Sequence, residues 1–308
     1  MILVWGVPGD PPLDSVYAML LRRGARTLLL DQRADEEATI TMEVGACLTG
    51  TLSAGGRNVA LESISGFYLR PQDRTTFRNS DDQHASTQKE PQRSLGAMLD
   101  DTLMIVADLS LGVVLNRPDA MAANNSKPYQ YAQIRSAGFV VPDTVITTSP
   151  DIAREFIRQH ERVIYKSVSG VRSIVGELRE ADTARLTDIR WCPTQLQERI
   201  DGVDVRVHVV GDELFACEVR SSAVDYRYAH LSGHRAVVSA IELPDDCAER
   251  CLALARGSRL PLAGIDLRRT DDGRWYCFEI NPSPGFTFYQ NATGAPIDAA
   301  IARLLATG

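Results

Sequence analysis

Positive charge is in deficit in this chain. The formal net charge is -7 and the pI about 5.3, which excludes a general nucleic-acid binder, a class that carries a basic surface. No apolar run is long enough to cross a bilayer, so no membrane span is expected. Met1-Ile2-Leu3-Val4-Trp5 has no basic residues before it and is too short for a signal-peptide core; it reads as a first, buried strand. The six cysteines (Cys47, Cys192, Cys217, Cys247, Cys251, Cys277) include no Cys-x-x-Cys pair. Cys247 and Cys251 are spaced for one helical face, but with no second pair the zinc reading fails. Free thiols in a reducing cytoplasm are the expectation. His230 and His234 also share a helical spacing, yet Gly233 lies between them, and a polar loop is the better reading. Gly6-Val7-Pro8-Gly9-Asp10 departs from the dinucleotide glycine pattern, and its prolines break the helix start that would hold a pyrophosphate. No Ser-His-Asp or Cys-His arrangement is recognisable, so no side-chain nucleophile is indicated.

What is present describes a globular protein. The chain has 308 residues, 44% hydrophobic and 24% charged, enough for two or three cores of ordinary domain size. Met1–Trp5, Leu13–Arg23 and Thr27–Leu30 read as strand, helix, strand, a βαβ opening that implies a parallel sheet. Ser65–Leu69 is a further strand. Residues 73–93 are polar and short of core residues, which predicts a flexible loop or insertion. Leu95–Leu109 regains helical periodicity, 113–116 is a short strand, and Pro118 opens a helix well. Beyond Asn124 the pattern predicts a helix over Gln130–Ala137, a strand over 142–146, a helix over Pro150–His160 and a strand over Arg162–Lys166. Strands follow at 196–200, 203–210 and 214–220, then a helix over 244–256 and a closing helix over Ile297–Leu305. No internal repeat is visible.

The most informative residues lie near the end. Leu262–Leu267 and Trp275–Ile280 are rich in apolar and aromatic residues and read as strands, yet they carry Asp266, Glu279 and, just beyond, Asn281. Side chains alternate along a strand, so Glu279 and Asn281 share a face. With Asp266 on that face too, three oxygen ligands converge. Such a set suits Mg²⁺, which takes one or two carboxylates and completes its shell with water and phosphate oxygens. A buried carboxylate cluster without a cation would be costly.

Groups suited to phosphates lie upstream. Lys166 ends an apolar strand and opens the small-residue loop Ser167-Val168-Ser169-Gly170-Val171-Arg172-Ser173. Either the ammonium and the loop N–H groups of Ser167, Ser169 and Gly170 neutralise a polyphosphate, or Lys166 snorkels to the surface. Lys127 carries the same two readings. Gln197-Glu198-Arg199-Ile200 offers a strand edge for adenine, and Asp204 an acceptor for ribose hydroxyls. Arg206, Arg220 and Arg227 are suited to bidentate contact with a phosphate or a carboxylate, or are surface charges.

In order, these residues resemble a known family. Lys127 before a helix, Gly138-Phe139-Val140-Val141-Pro142-Asp143-Thr144, Tyr165-Lys166-Ser167, Gln197 through Arg206, Gly264-Ile265-Asp266 and Glu279-Ile280-Asn281-Pro282 together resemble an ATP-grasp carboxylate–amine ligase of the RimK-like branch. The resemblance runs from about Asn116 to the last residue. Asn116-Arg117-Pro118-Asp119-Ala120, Asp225-Tyr226-Arg227 and Thr293-Gly294-Ala295-Pro296-Ile297 resemble more narrowly the graspetide-type enzymes that crosslink ribosomal peptides.

The resemblance implies an α/β protein, α+β in part, with an ATP-grasp fold. Residues 1–116 would form a small pre-ATP-grasp domain, 117–192 a central subdomain and 193–308 a C-terminal subdomain with the Mg-ATP site. Lys127 and Lys166 would contact phosphates, Gln197, Glu198 and Ile200 would line the adenine pocket, and Asp204 would hold the ribose. Asp266, Glu279 and Asn281 would hold Mg²⁺, with Mn²⁺ as a substitute, and Arg206, Arg220 and Arg227 would face the γ-phosphate and acyl group. Arg199 departs from the aromatic or aliphatic residue usual at its position. The implied reaction joins a carboxylate to an amine or hydroxyl through an acyl phosphate, on a peptide or amino-acid substrate. A homo-oligomer is compatible with the family. A small-molecule kinase, a free amino-acid ligase and a binding module without turnover are the competing readings.

Overall fold

Strand β1 (Ile2–Gly6) is apolar on both sides, and both sides are covered. In the computed structural model, which describes residues 1–34, 38–45, 47–74, 89–122, 126–168, 175–221 and 236–307, every residue of β1 is buried. It lies between β2 (Thr27–Asp31) and β6 (Gly66–Arg70), with β7 (Val113–Leu115) beyond β6, and all pairings are parallel. A parallel sheet covered on both faces needs continuous hydrophobic strands, and Ile-Leu-Val-Trp supplies one. Leu3 and Trp5 pack with helix α2 (Lys89–Leu109), and Ile2 and Val4 with helix α1 (Pro11–Arg22). Asp10 caps α1 by accepting from the Leu13 N–H, and prolines occupy its first turn, as helix starts favour.

Two features of this domain depart from the sequence reading. An antiparallel meander of β3 (Thr39–Val44), β4 (Leu48–Ala54) and β5 (Arg57–Ala60) lies where no strand was expected. Helix α2 starts at Lys89, so the expected loop over 73–93 ends sooner than predicted. Arg74, inside that expected loop, donates from Nε and Nη2 to the Asp100 carboxylate of α2 at 2.6 and 2.7 Å. Residues 75–88 lie outside the described residues.

A short helix, α3 (Pro118–Met121), leads to α4 (Lys127–Ser136), in which Lys127 is the first residue rather than the one before the helix. A four-stranded sheet follows, ordered β10-β9-β11-β8, from β8 (Thr144–Thr147), β9 (Val163–Ser167), β10 (Gly176–Glu177) and β11 (Thr194–Glu198). Its core joins Val163 and Leu196 to Ala153 and Phe156 of α5 (Pro150–Gln159) and to Leu186 and Ile189 of a 3-10 stretch. Strand β11 is hydrogen-bonded inside this sheet, between β8 and β9, although the sequence boundary at 192/193 assigned it to the last subdomain.

The last sheet is antiparallel, ordered β14-β13-β12-β15-β16, from β12 (Val203–Val210), β13 (Glu213–Ser221), β14 (Ala236–Ala240), β15 (Leu262–Arg269) and β16 (Trp275–Asn281). One face, carrying Val205, Val207, Val209, Ile265 and Ile280, packs on α4 and on α6 (Asp245–Gly257). Cys247, Cys251 and Cys277 are buried free thiols in that core, as expected for cysteines used as small hydrophobes. The chain finishes with α7 (Thr287–Thr293) and α8 (Ile297–Leu305). Helix α8 packs on the first domain: Ile297, Ala300, Ile301 and Leu305 join Ile2, Val4, Leu13 and Tyr68. Among the described residues no helix is long and apolar enough to cross a membrane.

Candidate functional site

The other face of the last sheet is polar. The ladder pairs Arg206 with Asp266, and Asp266 with Glu279; Gly264 pairs with Asn281. Direct partners lie on one side of a sheet, as do residues two apart. Arg206, Asp266, Glu279 and Asn281 therefore share a face, opposite the apolar core. A bulge between Asp266 and Leu267 leaves Phe278 without a ladder partner. It keeps Glu279 on the polar side while Cys277 remains in the core.

Charge on this face is partly balanced from within. Arg206, buried, donates to the Asp266 carboxylate. Its guanidinium passes directly over Gly264, where a Cβ would stand 2.1 Å from Nη2 and 2.7 Å from the Pro284 Cβ. No protein donor meets the Glu279 carboxylate among the described residues, and it is partly exposed. The Asn281 Oδ1 accepts from the Ser283 N–H at 2.9 Å. Two carboxylates and an amide oxygen, all on partly exposed residues, match the donor set that Mg²⁺ takes.

His208, next along β12 on the same face, is fully buried. Its Nε2 accepts from the Arg206 Nε at 3.4 Å, and its ring packs on Tyr289 of α7 at 5.1 Å between centroids. Burial first, then the neighbouring Arg206 charge, push its pKa well below the usual 6.5. A buried histidine held neutral binds a proton only after unfolding. The unfolded chain therefore takes up more protons between the depressed folded value and 6.5, and stability falls as pH drops through that window. Acidification from pH 7.5 to 5 is expected to lower the melting temperature of the wild type more than that of His208→Gln, and thermal scans at both pH values check it.

A second polar cluster sits between the central sheet and α4. Lys166 on β9 donates from Nζ to Gln197 Oε1 at 3.4 Å. Gln197, buried, donates to Thr144 Oγ1 at 3.0 Å and to the Tyr131 hydroxyl. Burial raises the Tyr131 pKa, keeping that hydroxyl protonated. Tyr131 was not singled out from the sequence, and Thr144 only as the last residue of the Gly138–Thr144 motif. The hint was Gln195 and Gln197 alternating on a buried strand, which calls for polar partners.

The remaining expected residues are distributed as follows. Glu198 exchanges bonds with Asp143: its Oε1 accepts the Asp143 N–H at 2.9 Å and its own N–H donates to the Asp143 carbonyl at 3.0 Å. Ile200 is buried, and its carbonyl accepts from Arg268 Nη1 at 2.7 Å. Asp204 accepts from Arg268 Nε at 2.8 Å and Nη2 at 2.6 Å. Arg199 turns its guanidinium to Glu177 at 2.6 Å. Arg220 is not brought to the polar face: Cys217 pairs with Arg206, so Arg220, three residues on, points to the other side. Its side chain is 70% exposed and bonds Glu218. Lys127 opens α4 beside this region. Ser167 is on β9, while Ser169, Gly170 and Arg227, like His230 and His234, lie outside the described residues.

Comparison with known proteins adds three findings. A family model described as the RimK-like ATP-grasp domain matches residues 127–305. Among curated proteins, a probable alpha-L-glutamate ligase of Xanthomonas euvesicatoria pv. vesicatoria (strain 85-10) is 29% identical over 202 residues, 62% of this chain and 67% of that protein. The ribosomal protein bS6–L-glutamate ligase of Escherichia coli O81 (strain ED1a) is 30% identical over 200 residues, 61% of this chain and 66% of that protein. The matched region thus spans about two thirds of each relative. Among solved structures, the ATP-grasp ligase PsnB complexed with a phosphomimetic variant of its minimal precursor, Mg and ADP superposes with a TM-score of 0.82 at 26% identity, covering 99% of this chain and 97% of that one.

Proposed function

Since the chain belongs to the RimK-like ATP-grasp family and is an ATP-dependent ligase, we propose that it activates a carboxylate of a peptide substrate as an acyl phosphate and joins it to an amine or hydroxyl. The observation that carries this reading is the ladder that sets Asp266 opposite Glu279, with Asn281 on the same face and Arg206 beside them. The peptide reading is supported by the likeness, at 26% identity and a TM-score of 0.82, to PsnB, solved with a precursor variant.

In this reading Asp266, Glu279 and Asn281 hold Mg²⁺, with Mn²⁺ able to replace it in an all-oxygen set. When bound there, the ion would supply positive charge that offsets the charge of the phosphates. Lys166, anchored on Gln197, and Lys127 neutralise the phosphates, and Gln197, Glu198, Ile200 and Asp204 border the nucleoside. Arg199, committed to Glu177, takes no part. Arg206 neutralises charge developing on the transferred phosphoryl group. A substrate carboxylate oxygen bonds to the γ-phosphorus as the bond to the ADP oxygen breaks. The amine or hydroxyl then bonds to the acyl carbon, phosphate leaves, and the nucleophile's proton is released. The protein's contribution is positioning and electrostatics.

Mass spectrometry of ATP reactions with candidate precursor peptides tests the proposal. A product lighter by one water, formed with ADP and phosphate, supports it; a product that keeps the phosphate identifies a kinase instead. Gly264→Ala probes the geometry. With backbone on one side and Pro284 on the other, the guanidinium must swing off the sheet, and nucleotide turnover is expected to fall by about a hundredfold, as for loss of one aimed electrostatic group. Steady-state ADP release checks this.

A further inference from the structure

The metal face is braced from the first domain by a residue nothing has yet assigned. Arg70 ends β6 of the N-terminal sheet, more than two hundred residues before the loop that follows β16. Its Nη1 nevertheless donates to Ser283 Oγ at 3.1 Å and to the Pro284 carbonyl at 3.2 Å. The same guanidinium is fixed on its other edge by Asp10, the capping residue of α1, through Nε and, at 3.5 Å, through Nη2. Both side chains are largely buried, at 12% and 16% exposure. A buried charge pair is retained at a cost in desolvation, so its use is to fix geometry. What it fixes is one step from the metal face, because the Ser283 N–H donates to the Asn281 Oδ1. Asp10, Arg70, Ser283 and Asn281 thus form one continuous chain of bonds from the start of α1 to a candidate metal ligand.

We propose that Arg70 is a positioning residue for the Asn281 amide: by holding the Ser283–Pro284 turn, it sets the direction in which Asn281 presents its oxygen to the metal. This rests on the metal assignment proposed above. Outer partners that orient metal ligands are worth about ten- to a hundredfold in metal affinity. Arg70→Lys keeps a positive charge for Asp10 but lacks the second edge that reaches the turn.

The test is Mn²⁺ affinity, read by electron paramagnetic resonance on the full chain with ADP and no peptide. Arg70→Lys and Ser283→Ala are each expected to weaken Mn²⁺ about tenfold. ADP binding without metal and the melting temperature should stay near wild type. Glu279→Ala run in parallel separates the two levels. If Glu279→Ala leaves Mn²⁺ affinity unchanged, the metal assignment falls. If Glu279→Ala weakens it while a folded Arg70→Lys and Ser283→Ala both bind Mn²⁺ within twofold of wild type, the positioning role is overturned. Should Arg70→Lys not fold, Ser283→Ala decides alone, since it removes only a hydroxyl.

Discussion

Glu279→Ala is expected to cut nucleotide turnover by about three orders of magnitude, the scale on which a metal-centred charge acts on phosphoryl transfer. The fold should survive. Glu279 is partly exposed and receives no protein donor among the described residues, so removing it strands no partner. It also stands opposite Asp266 in the ladder, and without a cation two facing carboxylates repel. The metal-free variant should therefore melt at or slightly above the wild-type temperature, while magnesium and ADP should raise the wild-type temperature and leave the variant's almost unchanged. ADP release together with thermal scans, with and without magnesium and ADP, checks both halves. Turnover near wild type would remove the metal from this face.

The largest effect on stability is expected at Asn116. This buried amide sits where β7 ends and spans the junction between the first sheet and the last. Its Nδ2 donates to the Leu262 carbonyl at 2.6 Å and to the Pro282 carbonyl, and its Oδ1 accepts the Leu262 N–H at 3.1 Å. Asn116→Ala leaves three buried backbone groups without partners, each costing about 1–3 kcal/mol. A net loss of about 3–5 kcal/mol follows. Asn116→Asp is isosteric, yet it presents a carboxylate to two carbonyls. It is expected to be worse than alanine, an order that a simple volume effect would not produce. Denaturant melts of the three proteins decide it. An aspartate variant as stable as wild type would show that the amide donors carry no weight.

The parallel sheet of the first domain and β12, β13, β15 and β16 of the last were legible in the sequence because their strands are nearly continuous in Val, Ile, Leu and aromatics; the edge strand β14, mostly exposed, was not. Helices α1 and α5, each with a capping residue and a proline at the first turn, were equally plain. The β3–β5 meander was not: Thr39-Ile40-Thr41-Met42 alternates, but no residue of β3 is fully buried and most are exposed, so the hydrophobic signal is thin. The start of α2 was missed because Lys89-Glu90-Pro91-Gln92-Arg93 is polar and carries a proline, which is tolerated in a first helical turn. At the site, the alternation of Glu279 and Asn281 gave their common face, but the parity of Arg220 could not be known without the register of β12 and β13. Arg70 and Tyr131, and the contacts of Asn116, escaped for another reason. Their partners lie tens to hundreds of residues away, and no local pattern records such contacts.

Helix α8 has a consequence during synthesis. Residues 297–305 complete the apolar packing around β1 and α1, so that face of the first sheet stays open until α8 has left the ribosome. A nascent chain halted short of Ile297 would present Ile2, Val4, Leu13 and Leu305's other neighbours to solvent, a ready target for chaperones. The domain that holds β1 is thus expected to mature together with the last sheet rather than ahead of it.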